Sequence, residues 1–274
     1  MHGDSHTTAR VHLNGASNKL ADFNWFGAIQ WDWCVCCETR GVEQLRSPVV
    51  AAFDLDGTLT NDGSVFAWLR HVAGVRRTYQ RALRLLVPLG VGAVRSGPWA
   101  DEAKERLFHG LLSGRNVDEV LDQSRTFALE HLASKGRAHM LARLQWHRDE
   151  GHDVVLVSAS PQIYVQVIAD TLGAHGALGT RLGVDARGRL TGSYQGRNCR
   201  GDEKMRRLDE WIIARHYSST PKVYAYGNSR GDLRLLRGAT HPFNVGRLGR
   251  LGALRNFPRL TARQRDEREV TTDE

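Results

Sequence analysis

At 274 residues, 41% hydrophobic and 25% charged, the chain has the length and apolar content for one large domain or two modest ones, which excludes a disordered or fibrous protein. Its formal net charge of +8, supplied mostly by arginine, favours anionic partners: phosphorylated small molecules, nucleic acid or an acidic membrane surface. The longest apolar run, "LLVPLGVGAV" over 85–94, is about half a membrane span and reads as core in preference to peripheral membrane contact.

In chain order, residues 1–46 show no helical or strand period and are expected to form a poorly ordered N-terminal extension. They lack the basic start and apolar run of a secretory signal, so a cytoplasmic location is expected. Three of the four cysteines, Cys34, Cys36 and Cys37, fall here, without C-x-x-C spacing; with Cys199 they are expected to be reduced thiols. "PVVAAFDLD" over 48–56 is a continuously apolar strand of the kind buried on both faces of a parallel sheet. "HDVVLVSAS" over 152–160 and "KVYAYGNS" over 222–229 repeat that pattern, and each of the three runs through small polar residues into a helical period. Repeated strand, polar turn and helix predict an α/β fold with a doubly wound parallel sheet, whose ligands bind outside the carboxyl ends of the strands. Residues 62–151 are helical in period and too long for an ordinary crossover, so they are expected to be an inserted helical cap; 47–61 and 152–260 are then the core. Two alternating runs around "DARGR" predict a β-hairpin within 177–196, and 261–274 reads as a charged, frayed tail.

The polar turns carry the chemistry. Asp54 closes the first strand, where a carboxylate can attack phosphorus, and Asp56 leans over the same crevice, placed to protonate a leaving oxygen and then deprotonate water. Backbone N–H groups of Gly57 and Thr58 are placed to hold phosphate oxygens, as are Ser158 and Ala159 at the end of the second strand. Lys204, at the start of a helix, is positioned to neutralise phosphoryl charge, with a solvated basic face shared with Arg206 and Arg207 as the alternative. Asn228 and Asp232 supply oxygen ligands for a hard cation, taken to be Mg²⁺ and shared with Asp54 and Asp56. Ser160, before Pro161, reads as a helix N-cap. His71, His109, His131 and His147 read as packing or surface residues, and Arg70, Arg76, Arg77, Arg81 and Arg84 as a solvated face.

With "DLDGTLT", "VSAS", "GDEK" and "GNSRGD" in this order, the chain resembles the haloacid dehalogenase-like hydrolase superfamily over about 47–260. The helical insertion, the "SAS" turn and "ATHPFNVGRLGRL" resemble its phosphoserine phosphatase-like branch, subgroup IB. The resemblance implies a Rossmann-like core under a cap, Mg²⁺, and phosphomonoester hydrolysis through an aspartyl phosphate on Asp54, with the main-chain carbonyl of Asp56 among the metal ligands. Two departures matter. Asn228 stands where the family usually has aspartate, and Gly63 stands where phosphoserine phosphatases carry the glutamate that recognises the substrate's amino group. A small phosphorylated metabolite other than phosphoserine is therefore the expected substrate. Phosphoryl transfer to an alcohol, or a catalytically weakened binding protein, are the alternatives; no nucleic-acid reader motif accompanies the basic residues.

Overall fold

The computed structural model describes residues 47–93, 98–247 and 252–260, the side chains of 86–93 and 98–100 excepted. The N-terminal extension with Cys34, Cys36 and Cys37, and the tail at 261–274, lie outside them. Strand β1 (Val49–Phe53) is followed by five helices: α1 (Val65–Ala73), α2 (Val75–Ala93), α3 (Pro98–Leu112), α4 (Val117–Lys135) and α5 (Ala138–Asp149). Then come β2 (Asp153–Pro161), α6 (Gln162–Thr171), β3 (Gly176–Thr180), β4 (Leu182–Val184) and β5 (Leu190–Tyr194). Helix α7 (Asp202–Ile213), β6 (Lys222–Gly227), α8 (Leu233–Gly238) and β7 (His241–Asn244) complete the described order.

Five strands form one parallel sheet in the order β3-β2-β1-β6-β7, and β4 pairs with β5 as an antiparallel hairpin. Phe53 lies opposite Leu156 on one side and Tyr226 on the other, so the ends of β1 and β6 stand level with the middle of β2, which runs on to Pro161. Asp54, Ser158 and Asn228 consequently open on the same edge, as the strand-turn-helix repetition predicts. Successive β1 residues face opposite ways: Ala51 and Phe53 pack with α5, α6, Tyr226 and Phe243, while Val50 and Ala52 pack with α7 and α8 through Leu208, Leu235 and Leu236. Helices on both faces are why the strand reads as unbroken apolar sequence.

Two strands escape periodicity. Gly176–Thr180 continues the parallel sheet beside β2 instead of forming the first arm of the hairpin, which begins only at Leu182. Its sequence, "GALGT", contains two glycines and a single β-branched residue, so propensity gives no strand signal. Strand β7, "HPFN", is four residues long and carries Pro242, a residue tolerated because β7 is the sheet edge.

The helices at 65–149 do not all play one part. Helix α3 packs against β5, where Phe108 meets Tyr194 edge-on, and α4 packs on α1 and α6. Helix α5 lies on the sheet: Arg143 Nε donates to the Tyr226 hydroxyl at 2.9 Å, and His147 Nε2 is 2.8 Å from the same oxygen. Burial, and then the Arg143 charge, push the His147 pKa down to about 2, so this ring is a neutral packing element. Arg70, Arg76, Arg77 and Arg84 are exposed, in keeping with a solvated face, whereas Arg81 is half-buried with its Nε packed against Gly110. Among the described residues, no helix is long and apolar enough to cross a membrane.

Candidate active site

The turn after β1 is wound around one carbonyl. Leu55 O accepts from the N–H groups of Thr58 (3.2 Å), Leu59 (2.9 Å) and Thr60 (3.0 Å). The Thr58 N–H is thereby committed to the turn, which corrects its expected role as a phosphate donor; its buried Oγ1 has no partner among the described residues. Gly57 sits at φ +81°, and a Cβ there would stand 1.9 Å from Asn228 Nδ2. Left-handed backbone and close approach both require glycine. Gly57→Ala is therefore expected to destabilise the protein by about 1–3 kcal/mol and to displace Asn228. A urea melt checks this; an unchanged midpoint would refute it.

Asp56 is held from two sides. Its Oδ1 accepts from the Ser64 N–H (2.8 Å) and its Oδ2 from the Ser160 hydroxyl (2.5 Å), while Ser64 Oγ lies 3.2 Å from Ser160 Oγ and 2.7 Å from the Tyr164 hydroxyl. Burial, and then the nearby Asp56 charge, keep the Tyr164 phenol well above its ordinary pKa, so it remains a hydrogen-bonding group. The N-cap expectation for Ser160 is wrong: β2 runs on to Pro161, which is itself the N-cap of α6, and the serine turns toward Asp56.

Lys204 settles the question of the basic face. Its side chain is 2% exposed, whereas Arg206 points to solvent, and Nζ donates to Asp54 Oδ1 and Asp232 Oδ1 at 2.6 Å each. Although burial opposes its charge, Asp232 and Asp54 outweigh that effect and hold the ammonium well above the ordinary lysine range. The Asp54 carboxyl is pushed up to about 7, by burial first and the charge of Asp232 second, against the pull of Lys204. With both carboxylates ionised, the single ammonium leaves this buried group one negative charge in excess.

Asp232 has both oxygens engaged. Oδ1 takes Lys204, and Oδ2 accepts from the N–H groups of Asn228 (3.1 Å) and Ser229 (3.0 Å) and from Ser229 Oγ (2.9 Å). It organises the turn after β6. Asn228 Oδ1, by contrast, is buried with no partner among the described residues. No cluster of three or more acidic, histidine or cysteine side chains suited to a metal is present among those residues.

Ser158 is buried and its Oγ accepts from the Ser160 N–H at 3.1 Å. The Ala159 carbonyl accepts from Lys104 Nζ of α3 at 2.7 Å. Arg230 is exposed, and a side chain at Gly63 would enter open space. Sequence reasoning did not single out Ser64, Tyr164, Lys104 or Arg137. Arg137 Nη1 donates to the carbonyls of Gly57 (2.5 Å), Thr58 (3.2 Å) and Val245 (3.2 Å), tying the first turn to the loop after β7. No local pattern marks a residue that acts from eighty positions away.

The family model for haloacid dehalogenase-like hydrolases matches residues 51–237. Protein CicA of Caulobacter vibrioides is 34% identical over 196 residues, 71% of this chain and 84% of that protein. Histidinol-phosphatase of Neisseria meningitidis serogroup C is 25% identical over 198 residues, 72% of this chain and 89% of that one. A crystal structure of a protein of unknown function from Bordetella pertussis Tohama I shares the fold, with a TM-score of 0.63 at 23% identity over 73% of this chain and 90% of the other.

Proposed function

Because the chain belongs to the haloacid dehalogenase-like hydrolase family, we propose that it is a Mg²⁺-dependent phosphomonoesterase acting through an aspartyl phosphate on a small phosphorylated metabolite, with the helices after β1 forming a cap. The buried Asp54–Lys204–Asp232 triad beside a doubly hydrogen-bonded Asp56 is the observation that carries this reading. An Asp54 oxygen attacks phosphorus and the ester P–O bond breaks, while Asp56 gives its proton to the leaving alcohol oxygen. Asp56 then takes a proton from water, the water oxygen attacks phosphorus, and the bond to Asp54 breaks to release phosphate. The Gly57 N–H, Thr58 Oγ1 and Ser158 Oγ are the groups available for the phosphoryl oxygens, and Lys204 offsets the charge developing on them. Ser64 and Ser160 keep Asp56 aimed through both half-reactions.

The donor set suits Mg²⁺: the second oxygen of Asp54, the main-chain carbonyl of Asp56 and the unpartnered Asn228 Oδ1 are hard oxygens, and the site carries an uncompensated negative charge. Once bound, the ion supplies positive charge that brings phosphate beside carboxylates. Asp232, with both oxygens used, supports the set from behind. Since asparagine brings no formal charge, Asn228→Asp is expected to lower the Mg²⁺ concentration for half-maximal activity by about tenfold. A Mg²⁺ titration of turnover reads this. Phosphate release that appears only in Asn228→Asp would favour the alternative, a binding protein with weakened chemistry.

Free phosphoserine is disfavoured because Gly63 supplies no carboxylate, and the similarity to a Neisseria protein named histidinol-phosphatase supports a small phosphorylated alcohol. The direct test is phosphate release from an aryl phosphate and a panel of metabolite monoesters with Mg²⁺, against an Asp54→Asn control. Equal rates in both proteins would end the proposal.

A further inference from the structure

The ladder between β2 and β3 is broken where the chemistry requires it to be firm. Val157 pairs with Leu178 and Pro161 with Thr180, so Ser158, Ala159 and Ser160 bulge out of register and lose their ladder partners on β3. Side chains take over what the ladder gives up. Ala159 O accepts from Lys104 Nζ at 2.7 Å, and the same nitrogen donates to Asn198 Oδ1 at 2.9 Å. The Thr180 hydroxyl lies 2.7 and 2.8 Å from those two oxygens but has a single proton to give. Lys104 is thus the donor able to serve both together. Its surroundings are unusual for a lysine: the ammonium sits over the faces of Phe108 and Tyr194, 5.7 Å from each ring centre, with no carboxylate within ion-pair distance among the described residues.

We propose that Lys104 is a positioning residue of the active site, fastening α3 to the bulged Ser158–Ser160 segment so that Ser160 stays on Asp56. The chain of contact is short: Lys104 holds Ala159, the next residue is Ser160, and the Ser160 hydroxyl donates to Asp56 Oδ2. This rests on the phosphomonoesterase reading for its kinetic consequences but not for its structural ones.

The charged and titratable groups facing Lys104 are Asp101 of α3, Asp56 beyond β1, Tyr194 of β5, and Cys199 and Arg200 before α7. Burial dominates over the attraction of Asp101 and Asp56 and pulls the Lys104 pKa down to about 8. As pH rises through that value, two charge-assisted hydrogen bonds become neutral ones of roughly half the strength. The amine still donates, so alkaline pH loosens the fastening without abolishing it.

Lys104→Met, Lys104→Gln and Lys104→Arg test this through steady-state kinetics on an aryl phosphate between about pH 6 and about pH 10, with amide hydrogen exchange across 158–160. Lys104→Met is expected to lower kcat at least tenfold with a smaller change in KM, to lack the alkaline fall near pH 8 expected of the wild type, and to speed exchange at 158–160 about tenfold. Lys104→Arg keeps a charge and should recover part of kcat while moving the alkaline fall above pH 9; Lys104→Gln keeps the donors and should hold exchange near wild type if the methionine variant fails to fold. Wild-type exchange and kcat in Lys104→Met would overturn the proposal. Absent turnover in every protein would remove the phosphomonoesterase reading alone, and the exchange result would still decide the role of Lys104.

Discussion

Asp54→Asn is expected to reduce phosphate release by at least about 10⁴-fold while leaving the fold as stable as the wild type or slightly more so. The two halves of that result have the same cause. Asparagine fills the same volume and can still accept from Lys204, but its amide oxygen cannot form an acyl phosphate that water goes on to cleave. The carboxylate it replaces is poorly placed for stability: burial and the repulsion of Asp232 push its pKa up to about 7. With that charge gone, Lys204 and Asp232 remain as a simple buried pair at 2.6 Å, free of the second carboxylate. A gain of about 0–1 kcal/mol is expected, the usual sign when a strained catalytic group is neutralised. Turnover at saturating Mg²⁺ and a urea melt on the same preparations measure both. Residual activity above about 1% of wild type would mean that another group is the nucleophile.

Much of this was legible in the sequence because the site is built from strand ends. A residue that closes a buried parallel strand is placed by the sheet, so Asp54, Ser158 and Asn228 could be brought together on paper from three apolar runs. Lys204 was harder. Its helix also carries Arg206 and Arg207, and only the packing of α7 against the sheet decides that position 204 faces inward while 206 faces water. The errors share one physical origin. From sequence the Thr58 N–H looks available to phosphate, yet three N–H groups converge on Leu55 O. Ser160 before Pro161 has the sequence of a helix cap, yet a bulge carries β2 one residue further and the hydroxyl donates to Asp56. Lys104 and Arg137 bind backbone carbonyls, and a carbonyl carries no sequence signature. Residues that support a site through main-chain acceptors remain invisible until the chain is folded.

Lys204→Met should be the most damaging substitution overall, because it removes a function and a structural requirement together. Loss of the positive charge facing the phosphoryl group is expected to cost about 10²–10³ in kcat, the range for removing one preorganised electrostatic contact. The stability effect is separate and larger than for Asp54→Asn. Asp54 and Asp232 each lie 2.6 Å from the ammonium and are buried, so methionine leaves two repelling carboxylates without a cation. Breaking such a pair by removing one partner typically costs about 3–5 kcal/mol. The sign of the pH dependence then follows from proton binding. Without the ammonium the folded protein holds a proton on Asp54 at pH values where the unfolded chain, with carboxyl pKa near 4, has released it. Folded carboxyl pKa values above the unfolded ones mean a penalty absent below about pH 4 and growing as pH rises toward about 7. Urea melts at about pH 5 and about pH 7.5 should therefore show the variant closer to wild type at the lower value. A deficit that is the same at both would show that Lys204 contributes by packing its methylenes and not by charge.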